Sequence, residues 1–159
     1  MSSPFEAFNH YEAAQGLPAN FIRSVNSVNP DDNAWAKLER SDISPVEFDD
    51  VFARESEALG HRVPGADVLS LLHGEIRPDM VNALDRINEA GYVLACLTNN
   101  VLSDQPVAVD AADRLRQDEL RAVLARFSAV IESSKVGVRK PETRFYEIAC
   151  ETVNVQPDE

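Results

Sequence analysis

VLACL, Val93 to Leu97, is the stretch that most restricts what this chain can fold into. Its apolar residues run without interruption and stop at Thr98, Asn99 and Asn100. A strand with one wet face alternates polar with apolar residues, so an unbroken run predicts burial on both faces, as in a parallel sheet covered by helices. The flanking sequence agrees. RPDMVNALDRINEAG, just before it, has helical periodicity, with Pro78 near its start and Gly91 past its end. After it, a helix is expected over roughly Ala111 to Arg126, burying Leu115, Leu120, Val123, Leu124 and Phe127. SAVIES then reads as a second short strand, and a last helix is expected from about Glu142 to Asn154. Helix, strand, helix, strand, helix in that order implies right-handed crossovers and an α/β layer.

The first 75 residues have a different texture. PFEAFNHYEAAQ places Phe5, Phe8 and Tyr11 near one face, and Gly16 ends the pattern. LPANFIRSVNSV comes next, with Pro18 suited to a first helical turn. In NPDDNAWAKLER, Trp35 and Leu38 share a stripe. SDISPVEFDDVFARESEALG offers Ser44 as a cap, Pro45 at the first helical position and Glu47 to complete a capping box. Its apolar stripe is Phe48, Val51, Phe52 and Leu59, and Gly60 is a suitable stop. No strand-like alternation is evident before residue 90, so four short helices are expected to pack as a small bundle.

Charge and composition limit the partners. A net charge of -12 opposes binding to nucleic acid or an anionic membrane, both of which need a basic face. A local pocket on an acidic protein can still be positive, which leaves a small phosphorylated molecule open. Cys96 and Cys150 stand in no CxxC or Cys/His cluster and read as buried thiols in a reducing compartment. MSSPFEAFNHYE has neither a basic nor an apolar leader segment, and no apolar run reaches membrane-spanning length. A cytoplasmic protein is expected.

Ligands of open α/β sheets bind beyond the carboxyl ends of the strands. VLACL delivers Thr98, Asn99 and Asn100 to that edge. These residues either turn the chain and cap the segment after it, or donate hydrogen bonds to an anionic oxygen without adding charge. In SSKVGVRKPETRFYE, Gly137 permits a turn and Pro141 restricts Lys140 to an extended backbone. Lys140 is then either a solvated surface lysine or an ammonium presented to the same edge as Thr98, able to offset phosphoryl charge. His10, His61 and His73 lack metal-ligand spacing.

LTNN after an apolar strand, joined some thirty residues later by IESSKVGVRKPETRFYEIA, resembles the haloacid dehalogenase-like (HAD) hydrolase superfamily. The similarity is greatest to the branch containing the N-terminal phosphatase domain of soluble epoxide hydrolases. It implies a partial Rossmann-like parallel sheet with an N-terminal helical cap, the cap spanning residues 1–75 and the core 76–159. It implies that Thr98 and Asn99 hold a transferring phosphoryl group, and that Lys140 is catalytic, stabilising the nucleophile and the developing charge.

The family attacks with an aspartate at the end of a first strand and holds magnesium with a late acidic pair. Neither strand is recognisable in MSSPFEAF or VNVQPDE, so truncation at both ends is the expectation. Asp49, Asp50, Asp79, Asp104, Asp110 and Asp113 do not come after a buried strand and do not replace the nucleophile. This chain is therefore expected to bind no magnesium and to be catalytically incompetent alone, with an open sheet edge that allows self-association. Two readings stand: a HAD-like hydrolase of small phosphate esters, active when complete, or a non-catalytic anion-binding or interaction module derived from one.

Overall fold

The computed structural model describes residues 3–72, 74–100 and 111–157. The chain divides into two compact units, Met1–Glu75 and Ile76–Glu159.

Among its described residues the first unit is all helical. It contains α1 (Pro4–Ala14), α2 (Phe21–Ser27), α3 (Ala34–Glu39), α4 (Pro45–Ala58) and α5 (Gly65–Ser70). The helix over Gly65–Ser70 is too short to show periodicity and exceeds the four expected. α4 starts where its local chemistry dictates. The Ser44 side chain accepts from the Glu47 N–H, and the Glu47 carboxylate accepts from the Ser44 N–H at 2.8 Å, closing the capping box. Phe48 and Phe52 are fully buried, with ring centroids 5.3 Å apart, and Trp35 meets Phe48 edge-on at 5.6 Å. Gly65 allows α5 to cross α4 closely, since a β-carbon there would lie 2.8 Å from both the Asp49 Cα and the Phe48 carbonyl oxygen. Asp49 itself accepts from the Ala66 N–H at 2.8 Å, a structural use of that carboxylate.

Two expectations for this unit need correction. Phe5 and Leu59 are exposed at the ends of their stripes. Pro18 precedes α2 rather than opening it, because Asn20 caps that helix in a left-handed conformation. The residue α1 buries beside Phe8 is Glu12, whose carboxylate accepts from the backbone N–H groups of Asn20 (2.8 Å) and Ile22 (2.9 Å).

In the second unit, α6 (Pro78–Glu89) leads to β1 (Ala95–Thr98), α7 (Ala111–Leu124), β2 (Ala129–Glu132), the single turn α8 (Ser133–Val136) and α9 (Thr143–Val153). The strands pair in parallel, Ala95 opposite Ala129 through Thr98 opposite Glu132. This is the partial α/β architecture that the apolar run implies. The core is Ile131, Phe145 and Ala149, with Ala95, Leu97, Ala129, Val136, Val138 and Ile148 packed against it.

The expected burial of VLACL on both faces is not met. β1 is half-buried throughout, Val93 is 59% exposed and the strand begins only at Ala95. Ala95 and Leu97 turn to the Ile131–Phe145 core, the alternation of a strand packed on one described face. The expected buried side of α7 is also only partly realised, because Leu115 and Leu120 are exposed. The loop LSDQPVAVD, with Asp104 and Asp110, and His73 lie outside the described residues.

Candidate functional site

Thr98 closes β1 and Glu132 closes β2, so the parallel register sets the two strand exits side by side. From there Asn99 and Asn100 extend one loop, and Ser133 begins α8 on the other. Gly137 ends α8 with a φ of 71°, a conformation that costs glycine little and turns the chain toward Lys140.

Lys140 is held against the end of β1 at both of its ends. Its ammonium donates to the Leu97 carbonyl at 2.7 Å, one residue before Thr98. Its backbone N–H donates to the Asn99 Oδ1 at 2.9 Å, and its carbonyl accepts from the Asn99 Nδ2 at 3.1 Å. The structure thus brings together Thr98, Asn99 and Lys140 at one strand exit, although 41 residues separate the last two.

A second set of bonds stiffens the neighbouring loop. Asn100 donates its N–H to the Ser133 hydroxyl (3.2 Å) and its amide Nδ2 to Glu132 (2.7 Å), and its Oδ1 accepts from the Ser134 hydroxyl (2.9 Å). Ser133 is fully buried and Ser134 nearly so, hence each hydroxyl needs such a partner. Sequence reasoning did not single out Ser133, Ser134 or Glu132. The available signal was two hydroxyls and a carboxylate at the exit of one strand facing two amides at the exit of its parallel neighbour.

Cys96 lies on the half-buried strand just inside the site. Burial pushes its thiol up, the Lys140 ammonium partly opposes that, and Glu132 adds to it. The thiol form is therefore favoured, which argues against Cys96 as a nucleophile.

The described residues at the strand exits do not suit magnesium. Among the described residues no three His, Cys, Asp or Glu side chains converge. Glu132, the carboxylate at the strand exit, is engaged by Asn100 and paired with Lys135. At the β1 exit the Thr98 hydroxyl and the Lys140 ammonium are the groups suited to an anionic oxygen.

Comparison with known proteins identifies the family. The haloacid dehalogenase-like hydrolase family profile matches residues 6–159. The chain is 25% identical over 163 residues to Bifunctional epoxide hydrolase 2 of Mus musculus, covering 96% of this chain and 28% of that protein. It is 26% identical over 154 residues to mouse Acyl-CoA dehydrogenase family member 10, covering 94% of this chain and 14% of the relative. It is 30% identical over 82 residues to (S)-2-haloacid dehalogenase 4A of Burkholderia cepacia, covering 52% of this chain and 32% of that one. The chain thus spans under a third of the length of each of these relatives. A solved HAD family enzyme from Bacteroides thetaiotaomicron shares the fold, with a TM-score of 0.53 at 15% identity, covering 98% of this chain and 70% of that one.

Proposed function

The chain belongs to the haloacid dehalogenase-like hydrolase family, and from that premise we propose that its strand exits form the phosphoryl clamp of a phosphatase-type hydrolase acting on small phosphate esters. The observation that carries this reading is the Lys140 ammonium, hydrogen-bonded to the Leu97 carbonyl beside Thr98. A phosphoryl group passing through its transition state spreads charge over its equatorial oxygens, and fixed donors stabilise that charge. In this reading the rim at Thr98 holds those oxygens, and the Thr98 hydroxyl donates to one of them. Lys140 supplies the positive charge from the other loop, so a small phosphorylated molecule is the expected ligand. A cytoplasmic setting fits the two free cysteines.

Attack on phosphorus needs a nucleophile that the clamp does not provide. No described aspartate stands at a strand exit, and Asp49 is spent on the Ala66 N–H. A polypeptide of these 159 residues alone is therefore expected to bind phosphate without turning over an ester. The same geometry would serve a non-catalytic anion-binding module, which the engagement of Glu132 by Asn100 and Lys135 favours, because it leaves the described rim without a free carboxylate base.

Calorimetric titration with inorganic phosphate, paired with a p-nitrophenyl phosphate assay in magnesium, tests the proposal. Phosphate binding that Thr98→Val and Lys140→Ala each weaken, without turnover, is the expected result. Binding indifferent to both substitutions would overturn the clamp. Turnover abolished by Lys140→Ala would overturn the incompetence of the polypeptide alone.

A further inference from the structure

We infer that Asn99 is a positioning residue for Lys140, its side chain gripping the lysine's backbone rather than the phosphoryl group. For its functional meaning this rests on the clamp reading. The inference stands on the pairing of one side-chain amide with one residue's main chain. Asn99 Oδ1 accepts the Lys140 N–H at 2.9 Å and Asn99 Nδ2 donates to the Lys140 carbonyl at 3.1 Å. A primary amide presents a donor and an acceptor in one plane, the same pair a backbone offers across a ladder. A carboxylate in its place could only accept, and a hydroxyl could not span both groups.

The grip has a consequence for the ammonium. Leu97 and Asn99, the residues before and after Thr98, hold the two ends of Lys140. Lys140 carries a long, flexible side chain whose immobilisation costs entropy. Fixing its backbone directly beside the Thr98 exit reduces the number of conformers that must be lost when the ammonium meets an anion. The oxygen of Asn99 faces a donor in this arrangement, so the side chain expected from the family resemblance to hold phosphate acts instead through Lys140.

Differential acetylation tests this without any ligand. The chain has three lysines, Lys37, Lys135 and Lys140, so two internal references accompany the one of interest. Brief treatment of the full chain with acetic anhydride, mapped by peptide mass spectrometry, should label Lys140 more slowly than the exposed Lys135. Asn99→Ala should raise Lys140 labelling about fivefold, the factor for roughly one net hydrogen bond, with Lys37 and Lys135 unchanged. Thr98→Val should leave Lys140 labelling as it was. Unprotected Lys140 in the wild type, or protection unaltered by Asn99→Ala, would overturn the inference.

If Asn99→Ala unfolds and all three lysines react faster, Asn99→Ser decides. Its short, uncharged side chain serves at most one of the two backbone groups, so a partial gain at Lys140 alone supports the grip and no gain refutes it. Phosphate calorimetry supplies the coupling. In a Lys140→Met background, adding Asn99→Ala should change the phosphate Kd less than about twofold, the limit for non-interacting changes. A further loss as large as that in the wild type would show direct contact and overturn the inference. A wild-type chain that binds no phosphate removes the clamp reading and leaves the labelling result to judge the grip.

Discussion

Replacing Glu12 is the substitution whose cost the structure allows one to work out most fully. Its carboxylate is 2% exposed and accepts two backbone N–H bonds from the start of α2. The two bonds are unequal. Ile22 is completely buried, so its N–H cannot turn to water once the acceptor is gone, and a stranded buried donor costs about 1–3 kcal/mol. Asn20 is exposed and its N–H can find solvent, so that loss is about 0.5–1 kcal/mol. A carboxylate at a helix N-terminus contributes about 0.3–1 kcal/mol more. Glu12→Ala should therefore destabilise the first unit by about 2–5 kcal/mol. Glu12→Gln should cost nearly as much, because its single oxygen serves one N–H and its NH2 group confronts the other. The assay is urea unfolding monitored by the fluorescence of Trp35, the only tryptophan, which lies in this unit. With a slope of about 1 kcal/mol per molar urea, the midpoint should fall by about 2–5 M or the unit should be unfolded without denaturant. Midpoints within about 0.5 M of wild type for both variants would show that the carboxylate does not fasten α1 to α2.

Three shorter predictions concern other bonds. The Tyr11 phenol is pushed up to about 12 by burial and by its hydrogen bond to Asp67. A raised acid favours its protonated form in the folded state, so this contribution is intact below the ordinary phenol value near 10 and is lost as pH climbs toward 12. Ultraviolet titration should show a late phenolate transition that Tyr11→Phe removes and Asp67→Asn shifts downward. Ser44→Ala should cost about 1 kcal/mol through loss of the capping box, read by thermal melting at neutral pH. The Glu47 carboxyl is held below its usual value by its bonds to the Ser44 backbone and then the Ser44 side chain. That contribution is present above the ordinary carboxylate range and lost as pH falls through the lowered value, so the Ser44→Ala difference should shrink in acid. Phe145→Ala should cost about 3–5 kcal/mol in the second unit, raising amide hydrogen exchange in β1 and β2 on the order of a hundredfold or more.

What was legible in the sequence was local. Ser44, Pro45 and Glu47 announce the start of α4 because cap, ring and carboxylate interact within one turn. The sequence places the last helix over about Glu142 to Asn154, and those two residues are its caps. The parallel pairing came from the order of elements and the apolar runs of β1 and β2. Burial was less legible, because an apolar residue records what could be covered and not what covers it. Val93 and Leu115 therefore look alike in sequence to Ile131, yet only Ile131 is buried. Glu12 reads as a solvated helix residue until α2 is folded beside it. At the site, Thr98 and Lys140 were visible as strand-exit chemistry, whereas the Asn99–Lys140 grip spans 41 residues and leaves no periodicity to read. The single turn Ser133–Val136 is likewise too short to announce itself, and it carries the hydroxyls that hold Asn100.

A crystal structure of the chain soaked in tungstate, a tetrahedral mimic of phosphate, tests the clamp most directly. The anion should sit at the β1 exit with its oxygens about 3 Å from both the Thr98 hydroxyl and the Lys140 ammonium. An anion bound elsewhere, with that exit empty and Lys140 still on the Leu97 carbonyl, would contradict the account.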